Sequence, residues 1–371
     1  MAEPQFIGSE IYRRSTNGMR HPLAIPRVST CIDLCRALGW LPDSRYHDSP
    51  LATSEQLARF HSPDYIAAVR RAESDQSLSR SDREKFNLGQ NSNPIFPEVF
   101  RRPATASGGS ILAARLVEDC GIVYNPAGGT HHGRPDRASG FCYFNDPVLA
   151  ILELLDNGTG RVFYLDVDAH HGDGVQDAFA DSEKVMTLSV HEQGRWPMNG
   201  NGAGEYGDRA GGLARNLPVP ADFNDSELDY VMQACVLPLL DSFAPDAIVL
   251  QCGADALAED PLSRLALSNG ALWRVVSSVQ GRAGKLIVLG GGGYNPWSVG
   301  RCWAGVWATL NGLEIPNRLP DEAEQLLRAL SWRHSRGRTP PEHWMTTLQD
   351  PARTGSVRSE VRHVVAEVLK P

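Results

Sequence analysis

The fold of this chain is decided by one stretch, RVFYLDVDAHHGDGVQ, which runs from Arg161 to Gln176. Its first half is apolar on both faces, which is typical of a buried strand in a parallel sheet. From Asp166 onward the stretch carries five ionisable side chains: Asp166, Asp168, His170, His171 and Asp173. Because burying two carboxylates without partners is costly, the sequence predicts a cation at the end of this strand.

Similar apolar runs recur along the chain and alternate with helical segments. The predicted strands are 121–125, 161–167, 185–190, 246–252 and 285–290. The predicted helices between them are 106–119, 146–157, 226–243 and 269–283. Such alternation predicts an α/β protein with helices on both faces of a mainly parallel central sheet. We therefore expect a single domain over residues 1–371, with three α/β/α layers.

The sequence also predicts the structure of two regions outside this core. The runs 315–332 and 359–370 predict a C-terminal helical region, from about 316 to 371, that packs outside the sheet. Residues 82–100 are rich in Asn, Gly and Pro, which predicts a surface loop.

The composition excludes several classes of protein. A formal net charge of −8 argues against a nucleic-acid binder held by phosphate contacts. Seven cysteines without CxxC or framework spacing favour reduced thiols. The sequence has no visible secretory signal and no apolar run of membrane-helix length. We therefore expect a cytoplasmic protein with no membrane and no nucleic-acid partner.

A polar or glycine-rich cluster follows each predicted strand directly. These clusters fall between residues 126 and 296. The carboxyl ends of parallel strands share one edge of the sheet, and ligands bind in the crevice at that edge. Five distant segments are therefore expected to converge on one active site.

The candidate metal ligands come from two of these clusters. Asp168 and His170 follow one strand, and carboxylate oxygen with imidazole nitrogen suits zinc or a similar ion. A catalytic zinc site usually takes three protein ligands and a water, and Asp255 is placed to supply the third. Two alternatives stay open: a helix N-cap role for Asp255, and a buried ion-pair network for Asp166 and Asp168.

Acid–base groups are expected at the same edge. His131 and His132 lie in the loop GGTHHG, and histidine is the usual general acid or base near neutral pH. Asp166 and Asp173 are available carboxylates that could fix the histidine tautomers. Tyr294 follows four glycines that let the backbone approach a substrate, and its hydroxyl suits the polarisation of a carbonyl.

Two aromatic residues, Phe141 and Trp196, lie in glycine-flanked loops at this edge. They are interpreted either as ordinary core aromatics or as the wall of an apolar channel.

The sequences of these motifs and their order along the chain resemble those of the histone deacetylase superfamily, which has the arginase/deacetylase fold. The resemblance covers nearly the whole chain and rests on GGTHHG, GFCYFND, LDVDAHHGDGVQ, QCGADAL and LGGGGY. The segment LALSNGALWRVV and the C-terminal region are most similar to the bacterial acetoin-utilisation, AcuC-like branch.

The resemblance implies a role for each candidate residue. The zinc ligands are Asp168, His170 and Asp255. The catalytic residues are His131, His132, Asp166, Asp173 and Tyr294. The substrate-binding residues are Gly140, Phe141, Trp196, Leu262 and Gly292. The site of a structural monovalent cation, usually potassium, comprises Asp166, Asp168, His170, Ser189 and Val190.

Within that set the resemblance makes His132 the general base and acid, and His131 its electrostatic partner. Arg27 resembles an arginine that lines an internal cavity below the metal. One position departs from the pattern, because Ser92 stands where many relatives carry an Asp that holds the substrate backbone. His171 receives no role.

The resemblance implies a zinc-dependent amidohydrolase that removes acetyl groups from acetyl-lysine side chains of proteins, with Fe²⁺ as the alternative metal. The absent loop carboxylate at Ser92 motivates a second hypothesis, the deacetylation of acetylpolyamines or other small acylated amines. A two-metal ureohydrolase of the arginase type is a third, although Gly253 stands where that site needs a carboxylate. A catalytically inactive binding protein is a fourth.

Overall fold

The computed structural model describes residues 3–14, 21–198 and 202–370. Within these ranges eight strands form one sheet, and every pair of neighbouring strands is parallel. The strands are β1 Gln5–Gly8, β2 Tyr46–Asp48, β3 Ile122–Asn125, β4 Val162–Asp166, β5 Val185–Glu192, β6 Arg215–Val219, β7 Ala247–Gln251 and β8 Lys285–Leu289. Their order across the sheet is β2-β1-β3-β8-β7-β4-β5-β6.

Helices precede, connect and follow the strands. They are α1 Ile11–Arg14, α2 Val28–Ala37, α3 Ser54–Leu57, α4 Pro63–Asp75, α5 Arg80–Phe86, α6 Arg101–Cys120, α7 Asp146–Asp156, α8 Asp173–Ala178, α9 Asp225–Val231, α10 Leu237–Phe243, α11 Asn269–Val279, α12 Pro296–Leu310, α13 Asp321–Arg328, α14 His343–Thr346 and α15 Ser359–Val368. A π-helical turn, Met232–Val236, joins α9 to α10. Three short 3₁₀ turns are Asp43–Arg45, Ala254–Ala256 and Ser335–Gly337.

The sheet has a hydrophobic layer on each face. Along β4, Phe163 and Leu165 pack into the cluster that holds the buried sides of α2, α11 and α12. The alternate residues Val162 and Tyr164 pack into the cluster beneath α6 and α7. Because successive strand residues point to opposite faces, this division makes three α/β/α layers. The predicted fold class is confirmed.

The five predicted strands all occur, with ends that differ by two residues at most. Three others, β1, β2 and β6, were not predicted. The predicted helix 226–243 is divided by the π-helical turn, because Pro238 has no N–H to donate and its ring crowds the preceding turn.

The prediction of a surface loop at residues 82–100 is wrong in part. The segment begins inside α5, and its apolar side chains are buried in a third cluster against Tyr143 and Phe144. These buried side chains are Phe86, Leu88, Phe96, Val99 and Phe100. The Asn, Gly and Pro residues supply turns between these anchors.

The two predicted C-terminal runs contain α13 and α15, and the short helix α14 lies between them. In the part of the chain that the structure describes, no helix is both long and apolar enough to cross a membrane.

Candidate active site

The site forms where β4 and β7 end beside each other in the middle of the sheet. Asp166 is the last residue of β4 and pairs in register with Gln251, the last residue of β7. Asp168 and His170 lie in the loop that follows β4, and Asp255 lies in the 3₁₀ turn that follows β7. Adjacent parallel strands therefore bring these two segments together, as the sequence predicts.

Asp168, His170 and Asp255 are buried and close enough to share one ion. Their potential ligand atoms lie within 4.8 Å of one another. The His170 Nδ1 atom lies 3.2 Å from Asp168 Oδ1 and 2.9 Å from Asp255 Oδ2. Asp255 lies inside its 3₁₀ turn and not before it, and its Oδ1 atom accepts the N–H of Ala169 at 3.0 Å, so Asp255 is not the N-cap of this turn.

The charges of these three residues favour a positive charge in the cluster. Burial lowers the pKa of His170, but Asp255 and Asp168 outweigh burial and raise that pKa to about 10. Burial and the neighbouring Asp168 raise the pKa of Asp255. Two carboxylates and one imidazole in a buried cluster are the donor set that suits zinc, so the residues fit the implied metal.

The adjacent histidines His131 and His132 lie beside this cluster. Their ring centroids are 3.9 Å apart, and the His132 ring lies 6.2 Å from that of His170. The His131 Nδ1 atom lies 2.7 Å from Asp166 Oδ2, and the His132 Nδ1 atom lies 2.7 Å from Asp173 Oδ1. Because a carboxylate accepts, each Nδ1 donates, which leaves Nε2 of His132 free to accept a proton.

The two histidines have opposite protonation at neutral pH. Burial lowers the pKa of His131, but the charges of Asp166 and Asp168 outweigh it and raise the pKa to about 9. Burial and the positive charge of His131 lower the pKa of His132 to about 3. His132 is therefore a neutral base beside a cationic neighbour.

Hydrogen bonds to its backbone groups hold the loop that carries the two histidines. Asp146, the first residue of α7, accepts the N–H groups of Gly129 at 3.0 Å and of Thr130 at 2.8 Å. Asn145 donates its side-chain amide to the carbonyl of His131 at 3.2 Å. Arg134 pairs with the second oxygen of Asp173. The histidine orientations thus rest on buried polar contacts.

Tyr294 faces the same cavity from the glycine loop after β8. The cavity, of about 40 Å³, is lined by His131, His132, Asp168, His170, Gly292 and Tyr294, among others. The Gly292 N–H donates to Asp168 Oδ2 at 2.7 Å, and a Cβ at Gly292 would lie 2.0 Å from Asp255 Oδ2. A glycine is therefore required where this loop passes the ligand cluster.

Phe141 and Trp196 stand at the entrance to this cavity. The ring centroid of Phe141 lies 5.8 Å from that of Tyr294, and the ring centroid of Trp196 lies 4.6 Å from that of His132. Trp196 is 43% exposed, so it is not a core aromatic. A Cβ at Gly140, where φ is +52°, would meet the Trp196 ring at 2.3 Å. These contacts place both rings beside the cavity, and the channel wall stays a prediction.

Leu262 lines an adjoining groove together with Tyr294. The loop that bears Trp196 continues into residues 199–201, which lie outside the described residues.

The residues of the predicted monovalent-cation site also lie together. Asp166 in β4 pairs in register with Ser189 in β5, and Val190 follows in the same strand. The Ser189 hydroxyl lies 2.9 Å from His191 Nδ1 and 3.4 Å from the Gly172 nitrogen. The side-chain oxygens of Asp166 and Ser189 are hard donors of the kind that such an ion takes.

Arg27 reaches the floor of the cavity. It is one of the residues that line the cavity, and its Nη1 atom donates to the Gly291 carbonyl at 2.8 Å. Its guanidinium lies 5.3 Å from the ring centroid of Trp303. The predicted place of Arg27 beside an internal cavity agrees with this geometry.

Ser92 lies in the loop that begins at Gly89. Its carbonyl oxygen lies 3.4 Å from His21 Nε2, and the His21 ring packs 4.4 Å from that of Phe141. The loop thus reaches the entrance, but Ser92 brings no carboxylate there.

Two supporting residues were missed by the sequence reasoning. Asn93 Oδ1 accepts the N–H of Phe141, whose φ is +70°, at 3.0 Å. Asp260 accepts the N–H of Tyr294 at 2.6 Å and that of Leu262 at 2.9 Å. The signals were Asn before Pro94 and Asp before Pro261, which are frequent turn-forming pairs.

His171, which had no predicted role, points away from the ligand cluster. Its Nε2 atom lies 3.0 Å from Gln176 Oε1, and its ring lies 4.8 Å from that of His191.

Comparison with known proteins identifies a similar family. Residues 21–310 match the Histone deacetylase domain. The chain is 38% identical to Histone deacetylase 9 of Arabidopsis thaliana over 82% of this chain and 72% of that protein. It is 34% identical to Acetoin utilization protein AcuC of Bacillus subtilis over 87% and 86% of the two chains. It is 35% identical to human Histone deacetylase 1 but spans only 63% of that protein.

Two solved structures are similar to this chain over almost its entire length. An HDAC homolog complexed with SAHA superposes with a TM-score of 0.93, 35% identity and 99% coverage of both chains. An HDAC homolog from Aquifex aeolicus gives a TM-score of 0.93, 34% identity and the same coverage.

Proposed function

This chain belongs to the histone deacetylase family, and from that premise we propose that it removes acetyl groups from acetyl-lysine side chains with the help of one bound zinc ion. The family assignment, with its AcuC-like branch, makes the protein a hydrolase of amide bonds. The observation that carries the proposed mechanism is the neutral His132, anchored to Asp173 and placed 6.2 Å, ring to ring, from His170.

Asp168, His170 and Asp255 would hold the metal, and a bound zinc supplies a Lewis acid that polarises both water and the amide carbonyl. His132 accepts the proton of the attacking water at Nε2 and later returns it to the leaving amine nitrogen. Asp173 fixes the tautomer that makes this transfer possible. The cationic His131, held by Asp166, keeps His132 neutral before the reaction begins.

Tyr294 completes the proposed mechanism. Its hydroxyl donates a hydrogen bond to the substrate oxygen as negative charge develops there. Asp260 holds the Tyr294 backbone, so the hydroxyl is positioned before the substrate arrives. Gly140, Phe141, Trp196, Leu262 and Gly292 form the proposed acyl-lysine channel, and the oxygens of Asp166, Asp168, His170, Ser189 and Val190 hold the proposed structural potassium ion.

A single catalytic metal is supported by the space around Gly253. A Cβ at this glycine would lie 2.1 Å from Asp168 Oδ2. A carboxylate side chain at position 253, which a two-metal ureohydrolase needs, has no room beside Asp168. We therefore propose a one-metal hydrolase.

A small acylated amine is the second candidate substrate. It is favoured by Ser92, because this loop offers no carboxylate to grip the two N–H groups of a peptide backbone. Turnover of acetyl-lysine peptides should be compared with turnover of acetylated polyamines by the zinc-loaded protein. A strong preference for the polyamines would replace acetyl-lysine with this candidate.

The catalytic proposal is tested by Tyr294→Phe. We expect turnover to fall about 10²–10³-fold, because one oxyanion donor is lost, while the bound zinc content stays the same. The control is Tyr230→Phe, which removes a hydroxyl from α9, where the ring packs under Arg362. Near-normal turnover by Tyr294→Phe would disprove the role of Tyr294.

A further inference from the structure

A groove of about 740 Å³ adjoins the active-site cavity at Tyr294, and we name it the mouth groove. Its walls are the segment at His21 and Pro22, the turn at Pro261 and Leu262, Tyr294, and residues 331–334. The volume lies in the range of about 300–1,000 Å³ that holds a drug-sized ligand, which is more than an acetyl group needs. The mouth groove therefore has room for the part of the substrate that carries the acylated amine.

The charge of the mouth groove is positive, although the chain as a whole is negative. The described residues that line the groove include no carboxylate. Arg333 is the lining side chain that always carries a positive charge. Burial and the nearby charge of Arg27 lower the pKa of His21 to about 4, so His21 is neutral at neutral pH. Arg333 is exposed to solvent.

The two acids that precede Pro261 in the sequence interact with other groups. Asp260 is 1% exposed and its carboxylate accepts the N–H groups of Tyr294 and Leu262. Glu259 pairs with Arg353 at 2.7 Å. Neither acid therefore neutralises Arg333.

The wall that carries Arg333 is fixed. Trp332 and His334, on either side of Arg333, stack with ring centroids 4.4 Å apart and an interplanar angle of 24°. The Arg336 Nη1 atom donates to the Asp260 carbonyl at 3.2 Å, which ties the next turn to the segment that bears Leu262. Arg333 is thus presented by an ordered segment next to Tyr294.

We propose that the mouth groove selects acetyl-lysine peptides in which an Asp or Glu flanks the acylated lysine, and that Arg333 is the selecting residue. The inference rests on the proposed deacetylase function. A guanidinium group binds a carboxylate with two parallel hydrogen bonds, which a neutral flank does not offer. A polyamine carries further ammonium groups, which Arg333 repels.

The test uses matched peptides that differ only in the residues flanking a central acetyl-lysine: Glu, Gln or Lys. An acetylated polyamine is the fourth substrate. We expect zinc-loaded wild-type protein to prefer the Glu peptide over the Lys peptide by about fivefold in kcat/KM, since exposed ion pairs contribute little each. Arg333→Glu should invert this ratio, and high salt should flatten it in both proteins.

The matched control is Arg80→Glu, which reverses a 91% exposed arginine on α5. It should keep the wild-type ratio. Equal turnover of the three peptides by the wild type, a preference for the polyamine, or an unchanged ratio in Arg333→Glu would each overturn the proposal.

A binding measurement separates this inference from the proposed function. The affinities of the same fluorescently labelled peptides for chelator-treated protein are measured by anisotropy. A preference for Glu over Lys in binding, without hydrolysis of any substrate after zinc loading, would refute the deacetylase proposal and uphold the charge selection. Turnover without any charge preference in either measurement would refute the charge selection alone.

Discussion

His61 is a buried histidine outside the catalytic set that supports the loop bearing His131 and His132. Its Nε2 atom accepts the N–H of Asn145 at 3.0 Å, and its Nδ1 atom donates to the Arg134 carbonyl at 2.9 Å. Both ring nitrogens are thus used by the neutral form. A second proton on the ring would face the Asn145 N–H group.

This environment makes the stability of the fold depend on pH. Burial lowers the pKa of His61 to about 4. Between pH 6.5 and 4 the unfolded chain binds a proton here that the folded chain does not, so stability falls as the pH falls. At pH 4 this proton uptake lowers the free energy of unfolding by roughly 3 kcal/mol.

We expect His61→Gln to reduce the slope of the free energy of unfolding against pH between 6.5 and 4, measured by urea denaturation. The exposed His363→Gln variant is the control and should keep the wild-type slope. Identical slopes for wild type and His61→Gln would show that His61 does not titrate as expected.

At the scale of elements, helices α11 and α12 pack closely at Gly305. The Trp273 ring of α11 lies on this glycine, and its Nε1 atom donates to the Cys302 carbonyl at 2.9 Å. A Cβ at position 305 would lie 2.1 Å from two ring carbons. The buried ring cannot move aside without breaking its hydrogen bond.

The Gly305→Ala variant is therefore expected to lose about 1–3 kcal/mol of stability, because the added methyl group overpacks the interface. Gly270→Ala in α11 is the matched control, because its nearest neighbour would be 3.6 Å away and alanine favours a helix. Thermal unfolding compares the two. A Gly305→Ala protein as stable as Gly270→Ala would contradict this packing argument.

The elements also show which parts of the fold could be predicted from the sequence. The central strands are buried on both faces, so continuous apolar runs mark them. The edge strands β2 and β6 lack this mark: β2 is the polar YHD, and β6 contains Pro218, which an edge position tolerates. Their pairing depends on neighbours that are distant in sequence.

The same distinction applies to the active site. The candidate metal ligands and the histidines follow strand ends in recognisable motifs, and the structure brings them together. Asn93 and Asp260 act on backbone N–H groups of Phe141 and Tyr294. Asn-Pro and Asp-Pro indicate turns, but they do not indicate which backbone N–H group the side chain will accept, so these contacts become visible only in the folded chain.

At the scale of the whole molecule, the candidate metal cluster links the ends of two central strands. Asp168 and His170 follow β4 and Asp255 follows β7, so an ion bound there stabilises the folded chain only. Free zinc at a thousand times its dissociation constant contributes roughly 4 kcal/mol. For 371 residues this stabilisation corresponds to a rise of about 5 °C in Tm.

We expect chelation to lower the Tm by about this amount and zinc to restore it, measured by calorimetry with metal content determined in parallel. Asp255→Asn should lose the zinc-dependent rise. Its Tm without metal should equal or exceed that of the chelated wild type, because burial and Asp168 disfavour the Asp255 carboxylate. If the wild type binds zinc but its Tm does not change, the ion does not connect β4 to β7.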